Sequence, residues 1–412
     1  MNSASKTDVN YYLTNGNPSA LLPTSINNTS VNGNKLLIIQ SDYENPFSQG
    51  NLLDVGFKSS IRNMAMDYNY FNYDPTQNIW TNNLQRSNNF AYKEQIHAIY
   101  AIYTGKIGDF KYQGGLRGEY ASTQSSIANS GITFSKSYYN IYPTVYFAYD
   151  FSPLDEFRIN YSRRVDRPKP WNLNPFINYS DSLNLSQGNP NLMPQYTNSY
   201  EMGYSSFILN INVYASLFYK QTSGLITRIS QLENNGVTLT TYQNIASQKN
   251  YGAELVGSGR VFSWWNYNAN ASYFRTDIND PQYVSGVSSY SYSWTARVNS
   301  TWKLDKTLAI QASYTYNSPT VTAQGRSDAL YHTDLALKKD FMNGDLSVSL
   351  RASDIFNTMK FSGTTYGTGF TLFNEGKRDS RIYYLGISYN LNNYKQKDKA
   401  KDIPTEDEMN SD

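Results

Sequence analysis

Residues 290–304 alternate strictly between two kinds of side chain. One set is aromatic near both ends and small or aliphatic between them: Tyr290, Tyr292, Trp294, Ala296, Val298, Ser300, Trp302 and Leu304. The set between them is polar: Ser291, Ser293, Thr295, Arg297, Asn299, Thr301 and Lys303. A period of two indicates a β-strand. An apolar stripe with aromatic residues at both ends is typical of a strand that faces lipid.

The same alternation recurs in residues 211–219, 265–273, 308–316, 346–353 and 382–391. The connections alternate in length. The short ones lie near residues 46–50, 105–109, 152–155, 207–209, 262–264, 305–306 and 343–344. The long polar ones lie near residues 73–89, 123–135, 167–196, 277–287, 318–327 and 357–377. Outer-membrane barrels have short periplasmic turns and long extracellular loops. We therefore predict an all-β fold, a transmembrane antiparallel β-barrel with about sixteen strands in this chain.

The pattern also predicts how the chain is divided. Residues 1–34 are expected to form an N-terminal extracellular loop with a partial strand at 8–13. Residues 35–391 are the predicted transmembrane barrel, from a strand at 36–43 to a last strand at 381–391. Within it, residues 223–244 are expected to form a hairpin above the membrane that turns at Asn234-Asn235-Gly236. Residues 392–412 are polar and lack a period, which predicts a disordered tail.

The composition supports this prediction. The chain has 38 Tyr, and Tyr suits surfaces that are apolar on one side and wet on the other. The mean hydropathy of −0.59 is compatible with a barrel, because only every second strand residue faces lipid. The chain has no Cys, which excludes a disulfide framework, and a net charge of +2 gives no reason to expect nucleic acid as a partner. The N-terminus lacks the apolar segment of a signal peptide, which an exported protein needs, so either the start of the protein is missing or the membrane prediction is wrong.

Soluble sheets alternate too, but their buried faces favour Val, Ile and Leu. The predicted outward faces here mix Ala, Tyr and Trp, and the opposite faces are strongly polar, which favours the membrane barrel. One residue breaks the pattern. Lys339 falls on the face of Leu335 and Leu337, either because it reaches the periplasmic rim or because the strand contains a bulge.

Several motifs go beyond periodicity. The segment Tyr161-Ser162-Arg163-Arg164-Val165-Asp166-Arg167-Pro168 leads into Leu173-Asn174-Pro175-Phe176, and Gly188-Asn189-Pro190-Asn191-Leu192-Met193-Pro194 and Thr197-Asn198-Ser199-Tyr200-Glu201 follow. Asn244-Ile245 and Tyr251-Gly252-Ala253-Glu254-Leu255 come later. From about residue 35 to residue 391, the chain resembles the outer-membrane β-barrel family of TonB-dependent receptors of the Bacteroidetes type.

The resemblance implies a bacterial outer-membrane protein. Its full barrel would have 22 strands and enclose a plug, and an inner-membrane energy complex would drive it. This chain departs from that pattern, because no plug or energy-coupling segment is recognisable in it. It is therefore expected to be the C-terminal barrel portion of a receptor that imports an unidentified small ligand. The implied partners are outer-membrane lipid, the barrel assembly machinery and, through a missing N-terminal part, the TonB energy complex.

Few residues carry chemistry. The Asn-Pro pairs predict a shaped extracellular loop, and its candidate ligand contacts are Trp171, Phe176, Tyr179 and Asp181. Glu254 is expected to face the lumen and to join a network with Arg or Lys. Arg163 and Arg164 are expected on opposite faces of one strand.

We predict no enzyme, catalytic residue, metal site or cofactor. His332 stands two residues from Asp334, but a generic polar lumen also produces such a pair, and two His without Cys make a poor metal site. The alternative to a receptor is a passive, porin-like or structural barrel, because a barrel of about sixteen strands leaves an aqueous channel.

Overall fold

The computed structural model describes residues 2–9, 24–48, 50–128, 131–179, 181, 183–233, 236–279 and 289–391. The strands in this part of the chain are β1 Asn2–Val9, β2 Thr24–Ser48, β3 Asn51–Asp74, β4 Ile79–Asn82, β5 Asn88–Ile107, β6 Phe110–Ile127, β7 Ile132–Ser152, β8 Asp155–Asp166, β9 Asn184–Ser186, β10 Gln195–Ile208, β11 Ile211–Leu232, β12 Thr238–Phe262, β13 Trp265–Asn279, β14 Tyr290–Lys303, β15 Leu308–Asn317, β16 Thr320–Thr322, β17 Gly325–Ser327, β18 Leu330–Phe341, β19 Leu346–Ser353, β20 Phe361–Gly367, β21 Phe370–Gly376 and β22 Ile382–Tyr389. A short helix, α1 Pro170–Leu173, and a 3-10 turn, Met342–Gly344, complete the described elements.

Sixteen of these strands form one antiparallel meander, the wall. Each of β1, β2, β3, β5, β6, β7, β8, β10, β11, β12, β13, β14, β15, β18, β19 and β22 pairs with the next in that order. The predicted strand number is therefore confirmed. Strands β16, β17, β20 and β21 make a separate four-stranded sheet at the end of the wall that carries the long connections.

The outward face of the wall carries aromatic side chains in two bands. At the long-loop end, the rings of neighbouring strands lie side by side, with centroids 4.8 Å apart for Tyr161 and Tyr200, 6.2 Å for Tyr200 and Tyr219, and 6.3 Å for Tyr219 and Tyr251. At the short-turn end, Trp264 and Trp265 lie 6.3 Å apart. The eight steps from residue 265 to residue 273 of β13 measure about 26 Å at about 3.3 Å per residue. Because barrel strands tilt by about 35–45°, this length crosses most of an apolar membrane band about 25 Å tall.

The strands continue past the outward band at the long-loop end. The predicted hairpin at residues 223–244 is not a separate unit, because β11 has 22 residues and β12 has 25, and the two stay paired from Ile211 to Leu232. Backbone hydrogen bonding continues in water without the apolar alternation that marks the membrane band. Asn234 and Asn235 of the predicted turn lie outside the described residues, and Gly236 has a φ of +80°.

The two ends of the wall differ from the sequence-based prediction. The first strand is Asn2–Val9 rather than residues 8–13, of which 10–13 lie outside the described part. It pairs with residues 24–31 of β2, so β2 begins well before the predicted residue 36. Both segments are polar, and the pattern missed them because pairing outside an apolar layer needs only backbone hydrogen bonds. The last strand, Ile382–Tyr389, agrees with the prediction. The three-part division stays a prediction, and residues from 392 onward lie outside the described residues.

At the two edges of the wall, strands pair with one neighbour only. Among the described strands, β22 pairs only with β19, and β2 from Gly33 to Ser48 pairs only with β3. In the described part of the chain, no helix is long and apolar enough to cross a membrane.

Lys339 lies on the outward face without a bulge. The pairing of β15 with β18 is unbroken from Leu308↔Lys339 to Asn317↔Leu330. The Lys339 ammonium donates to Thr307 Oγ1 over 2.6 Å and lies 3.4 Å from Asp305 Oδ2, in the turn after β14. Of the two explanations considered for this residue, the structure favours the one in which the side chain reaches the short-turn rim.

Candidate functional site

The connection between β8 and β10, residues 167–194, is named here the mouth loop. It folds back over the inward face of the wall instead of projecting from it. Leu173 and Leu192 of the loop are buried in one cluster with Phe90 and Tyr92 of β5, and Ile226 of β11 and Tyr242 of β12 pack against the same cluster. Strands β6, β7, β8 and β10 stand between β5 and β11. The loop therefore bridges two well-separated parts of the wall.

The Asn and Gly residues of the loop motif hold its shape. The amide of Gly188 donates to the Asn174 carbonyl over 2.7 Å, and the amide of Asn189 donates to the Asn172 carbonyl over 2.6 Å. A Cβ at residue 188 would stand 2.6 Å from both of these carbonyl oxygens, so only glycine fits there. The Asn189 side chain also donates to the Tyr242 carbonyl over 2.9 Å. The predicted shaped loop is thus present, and backbone hydrogen bonds join residues 172–174 of its motif to residues 188–189.

A buried ion pair fastens the start of the loop. The Arg167 guanidinium forms a short ion pair with Glu119 of β6 and donates to the Tyr138 hydroxyl of β7 over 3.0 Å. Glu119 also pairs with Arg117 over 2.6 Å, and its side chain is 7% exposed. Lys136 donates to the Leu192 carbonyl over 2.9 Å, and burial lowers the pKa of its ammonium. We call the Arg167–Glu119–Tyr138 contact the latch.

Two of the four candidate ligand contacts lie together. The Phe176 ring is 6.4 Å from that of Tyr68, and the Tyr179 ring lies 4.9 Å from the Arg86 guanidinium. Arg86 also lies 5.2 Å from the Tyr70 ring and donates to the Tyr70 hydroxyl over 2.9 Å. These residues, named the aromatic cluster, are Tyr68, Tyr70, Arg86, Phe176 and Tyr179. Burial raises the pKa of Tyr68.

The other two candidates stand apart from the cluster. Trp171 is 51% exposed, and Lys169 lies 5.2 Å from its ring. Asp181 accepts hydrogen bonds from the amides of Leu183 and Asn184, over 2.9 Å and 3.1 Å, and from the Asn184 side chain. These bonds, first that of the Asn184 side chain, lower the pKa of Asp181. Its carboxylate is engaged in forming a turn.

Sequence reasoning missed Tyr68, Tyr70 and Arg86. Tyr68 and Tyr70 alternate at the end of β3, which is a usable signal for one shared face. Arg86 follows β4 in a connection without a period, and nothing in the sequence links it to residue 179.

The structure also shows which way Glu254, Arg163 and Arg164 face. Glu254 faces inward between Ser216 and Ser272, as expected, but it has no ion pair within the described residues, so the predicted network with Arg or Lys is wrong. Strands β11 and β13 place uncharged serines opposite it. Arg163 and Arg164 occupy adjacent positions on β8 and therefore opposite faces, opposite Asn198 and Thr197 of β10.

His332 and Asp334 do not form a pair. Asp334 accepts from Arg351 over 3.2 Å and from the Asp354 amide over 2.9 Å. His332 Nδ1 is buried and has no hydrogen-bond partner in the described part of the chain. In the same part, no three His, Asp or Glu side chains are grouped so that they could hold a metal ion. The side chains described at the mouth are aromatic rings, a guanidinium and amides.

The long connections also pack on each other outside the wall. The Gln324 side chain accepts from the Ser230 amide over 2.7 Å and donates to the Ser230 carbonyl over 3.0 Å. Ile229, Ile278 and Val321 are buried beside it. This contact fixes the β16–β17 turn against the hairpin of β11 and β12.

Comparisons with known proteins extend these observations. A family model described as "Outer membrane protein beta-barrel family" matches residues 1–389. Among solved structures, the copper transporter OprC is similar with a TM-score of 0.62 and 12% identity, over 89% of this chain and 57% of that one. The siderophore receptor PiuA from Acinetobacter baumannii has a TM-score of 0.60 and 12% identity, over 89% and 56%. The ferric-catecholate import receptor Fiu from E. coli K12 has 0.58 and 17%, over 89% and 55%.

The chain thus spans a little over half the length of these structures, and at such identities the likeness shows the fold alone. No curated protein sequence matches the chain. The predicted transmembrane barrel fold and the outer-membrane location are confirmed, and receptors and transporters among the solved structures share this fold, whereas a Bacteroidetes type is not tested.

Proposed function

Because the chain belongs to the outer membrane protein beta-barrel family, we propose that it is the C-terminal barrel portion of a TonB-dependent receptor, which imports a small ligand captured at its extracellular mouth. The likeness to OprC, PiuA and Fiu supports a receptor-type wall rather than an enzyme. The short turns then face the periplasm, and the long connections face outside.

The observation that carries the proposal is the inward path of the mouth loop. A loop that is latched to β6 and β7 and packed against β5, β11 and β12 narrows the entrance and presents the aromatic cluster beside it. Ligand sites combine apolar and aromatic surface with a few placed polar groups. In the cluster, Arg86 supplies the polar group and the four rings supply the surface.

The proposed partners follow from this role. They are outer-membrane lipid around the wall, the barrel assembly machinery during insertion and a TonB energy complex that acts through a part of the receptor outside this chain. Aromatic rings and a guanidinium suit several classes of small molecule.

The test is the electrical conductance of the complete protein, purified from outer membranes, in planar lipid bilayers. A receptor whose lumen is closed by a plug is expected to give no steady conductance. A steady, ohmic conductance would support the passive-pore alternative and overturn the proposal, since open barrels of sixteen to eighteen strands leave an aqueous channel.

A further inference from the structure

The outward face of the wall carries a groove that the proposed function does not use. It crosses β3, β5, β6, β7 and β8 and has a volume of 690 Å³. Gly118 of β6 lies at its floor, where the nearest heavy atom to a Cβ would be 3.9 Å away. Four large side chains on the outward face form most of its sides: Phe57, Ile99, Tyr139 and Ile141, with exposed fractions of 41%, 68%, 79% and 60%. The polar residues His97, Glu119 and Asn140 also line it.

A cation stands at the edge of this groove. Arg163 is on the outward face of β8, two residues from Tyr161 of the aromatic band at the long-loop end. Its guanidinium lies 5.3 Å from the Tyr196 ring. Within the described residues it has no ion pair, and its buried Nε has no hydrogen-bond partner. A guanidinium with no ion pair and a buried, unbonded Nε gains stability when an anion binds it.

We propose that the groove binds an anionic lipid of the outer leaflet, with one acyl chain against Gly118 and the phosphate on Arg163. Aromatic bands mark the level of lipid headgroups, so Arg163 stands at the headgroup level and the apolar walls adjoin the acyl region. Arginine pairs with phosphate through two parallel hydrogen bonds. The adjacent cation and apolar groove match the charge and the apolar chain of one lipid molecule. This site is independent of the ligand that the receptor imports.

The role of the Arg163 charge in lipid binding is tested by titrating the complete protein in detergent with lipid and following binding by native mass spectrometry. The probes are phosphatidylglycerol and phosphatidylcholine with identical acyl chains. We expect the unaltered protein to prefer phosphatidylglycerol, and Arg163→Gln to weaken its binding about fivefold, as for one basic residue near an anionic surface. Arg164→Gln is the matched control, because it removes the same charge from the inward face. Equal effects of the two variants, or no effect of Arg163→Gln, would overturn the proposal.

The groove is tested separately with Gly118→Leu, which fills the floor. Binding of both lipids is expected to fall, because the acyl chain loses its place whatever the headgroup. The control is Gly114→Leu, four residues away on the same outward face, where a Cβ would meet nothing within 4 Å. Heat-modifiable migration in gels shows that each variant is folded. A folded Gly118→Leu protein that binds both lipids like the Gly114→Leu protein would show that no chain occupies the groove.

Discussion

Leu350 and Ser349 are neighbours on β19 whose side chains point to opposite sides of the wall. Leu350 is 52% exposed on the outward face and pairs with Leu337 and Leu385. Ser349 stands on the inward face, where its hydroxyl donates to the Gly386 carbonyl over 3.4 Å. The alternation in the sequence predicted both orientations, because a strand has a period of two wherever it lies.

Arginine substitutions at these two residues test which face of the wall meets lipid. We expect Leu350→Arg to destabilise the folded barrel in lipid by roughly 2–4 kcal/mol, the cost of a charge near the membrane midplane. Ser349→Arg should cost much less, since water can reach the inward face. The measurement is unfolding by denaturant in bilayers of defined lipid. Similar free energies for both variants would contradict the facing assigned here.

A second residue-scale prediction concerns Asp305, in the turn between β14 and β15. Hydrogen bonds from the Thr307 side chain, and then from the amides of Thr307 and Leu308, lower its pKa from 3.8 to about 2. A lowered carboxyl pKa stabilises the folded state above pH 3.8, and this contribution is lost as the pH falls towards 2. We expect stability to decline in that window, and to decline less in Asp305→Asn.

The paired variant is Thr307→Val, which removes the hydroxyl donor. The pKa of Asp305 should rise towards its ordinary value, so the decline should be smaller than in the unaltered protein and should be complete at a higher pH. Unfolding midpoints measured between pH 5 and pH 2 distinguish the three proteins. Identical pH profiles for all three would show that this turn does not contribute to acid sensitivity.

At the scale of elements, the mouth loop has the least regular backbone, and side-chain contacts hold it firmly against the wall. Its latch joins Arg167 to Glu119, which are 48 residues apart. Charge-assisted hydrogen bonds contribute about 1.5–3 kcal/mol each, so Glu119→Gln should let the loop open more often, with amide exchange at least about tenfold faster. Hydrogen–deuterium exchange of Gly188, Asn189 and Leu192 measures this opening.

Glu156→Gln is the control for the latch. Glu156 pairs with Lys111 over 3.0 Å at the short-turn end of the inward face. The Glu156→Gln variant therefore removes an ion pair far from the loop. Exchange in the mouth loop should be unchanged in this variant. If both variants speed up exchange in the loop equally, the effect comes from the general stability of the wall, and the latch has no local role.

For the whole molecule, we expect the 412-residue chain produced alone behind a signal peptide not to perform energy-driven uptake. Driven import requires a plug and a coupling segment, and under the proposed function both lie in a part of the receptor outside this chain. A wall that closes would be an open channel. A wall that stays open at β2 and β22 would expose backbone groups to lipid at several kcal/mol each.

The host lacks its own receptors, and the probe is a labelled small ligand that the complete protein is first shown to accumulate there. Accumulation is measured with and without a protonophore, and the complete protein serves as the positive reference for expression and insertion. Accumulation by the chain alone that stops when the protonophore is added would contradict the expectation, because it would reveal an energy-coupling element within these residues.

The sequence by itself determined the wall. The period of two, the aromatic ends of each stripe and the alternating connection lengths are local, so they predicted about sixteen strands, their faces and the last strand. The polar strand β1 and the start of β2 escaped prediction, because backbone pairing outside the membrane leaves no apolar signal.

Only the tertiary structure decided which distant residues meet. The curvature of the wall brings Glu119 to Arg167, Arg86 to Tyr179 and Gly118 beside Arg163. The mouth loop has no period, and its path depends on where Phe90 and Tyr92 leave apolar surface to cover. Contacts across the wall depend on the tilt and register of several strands together, and no single stretch of sequence encodes them.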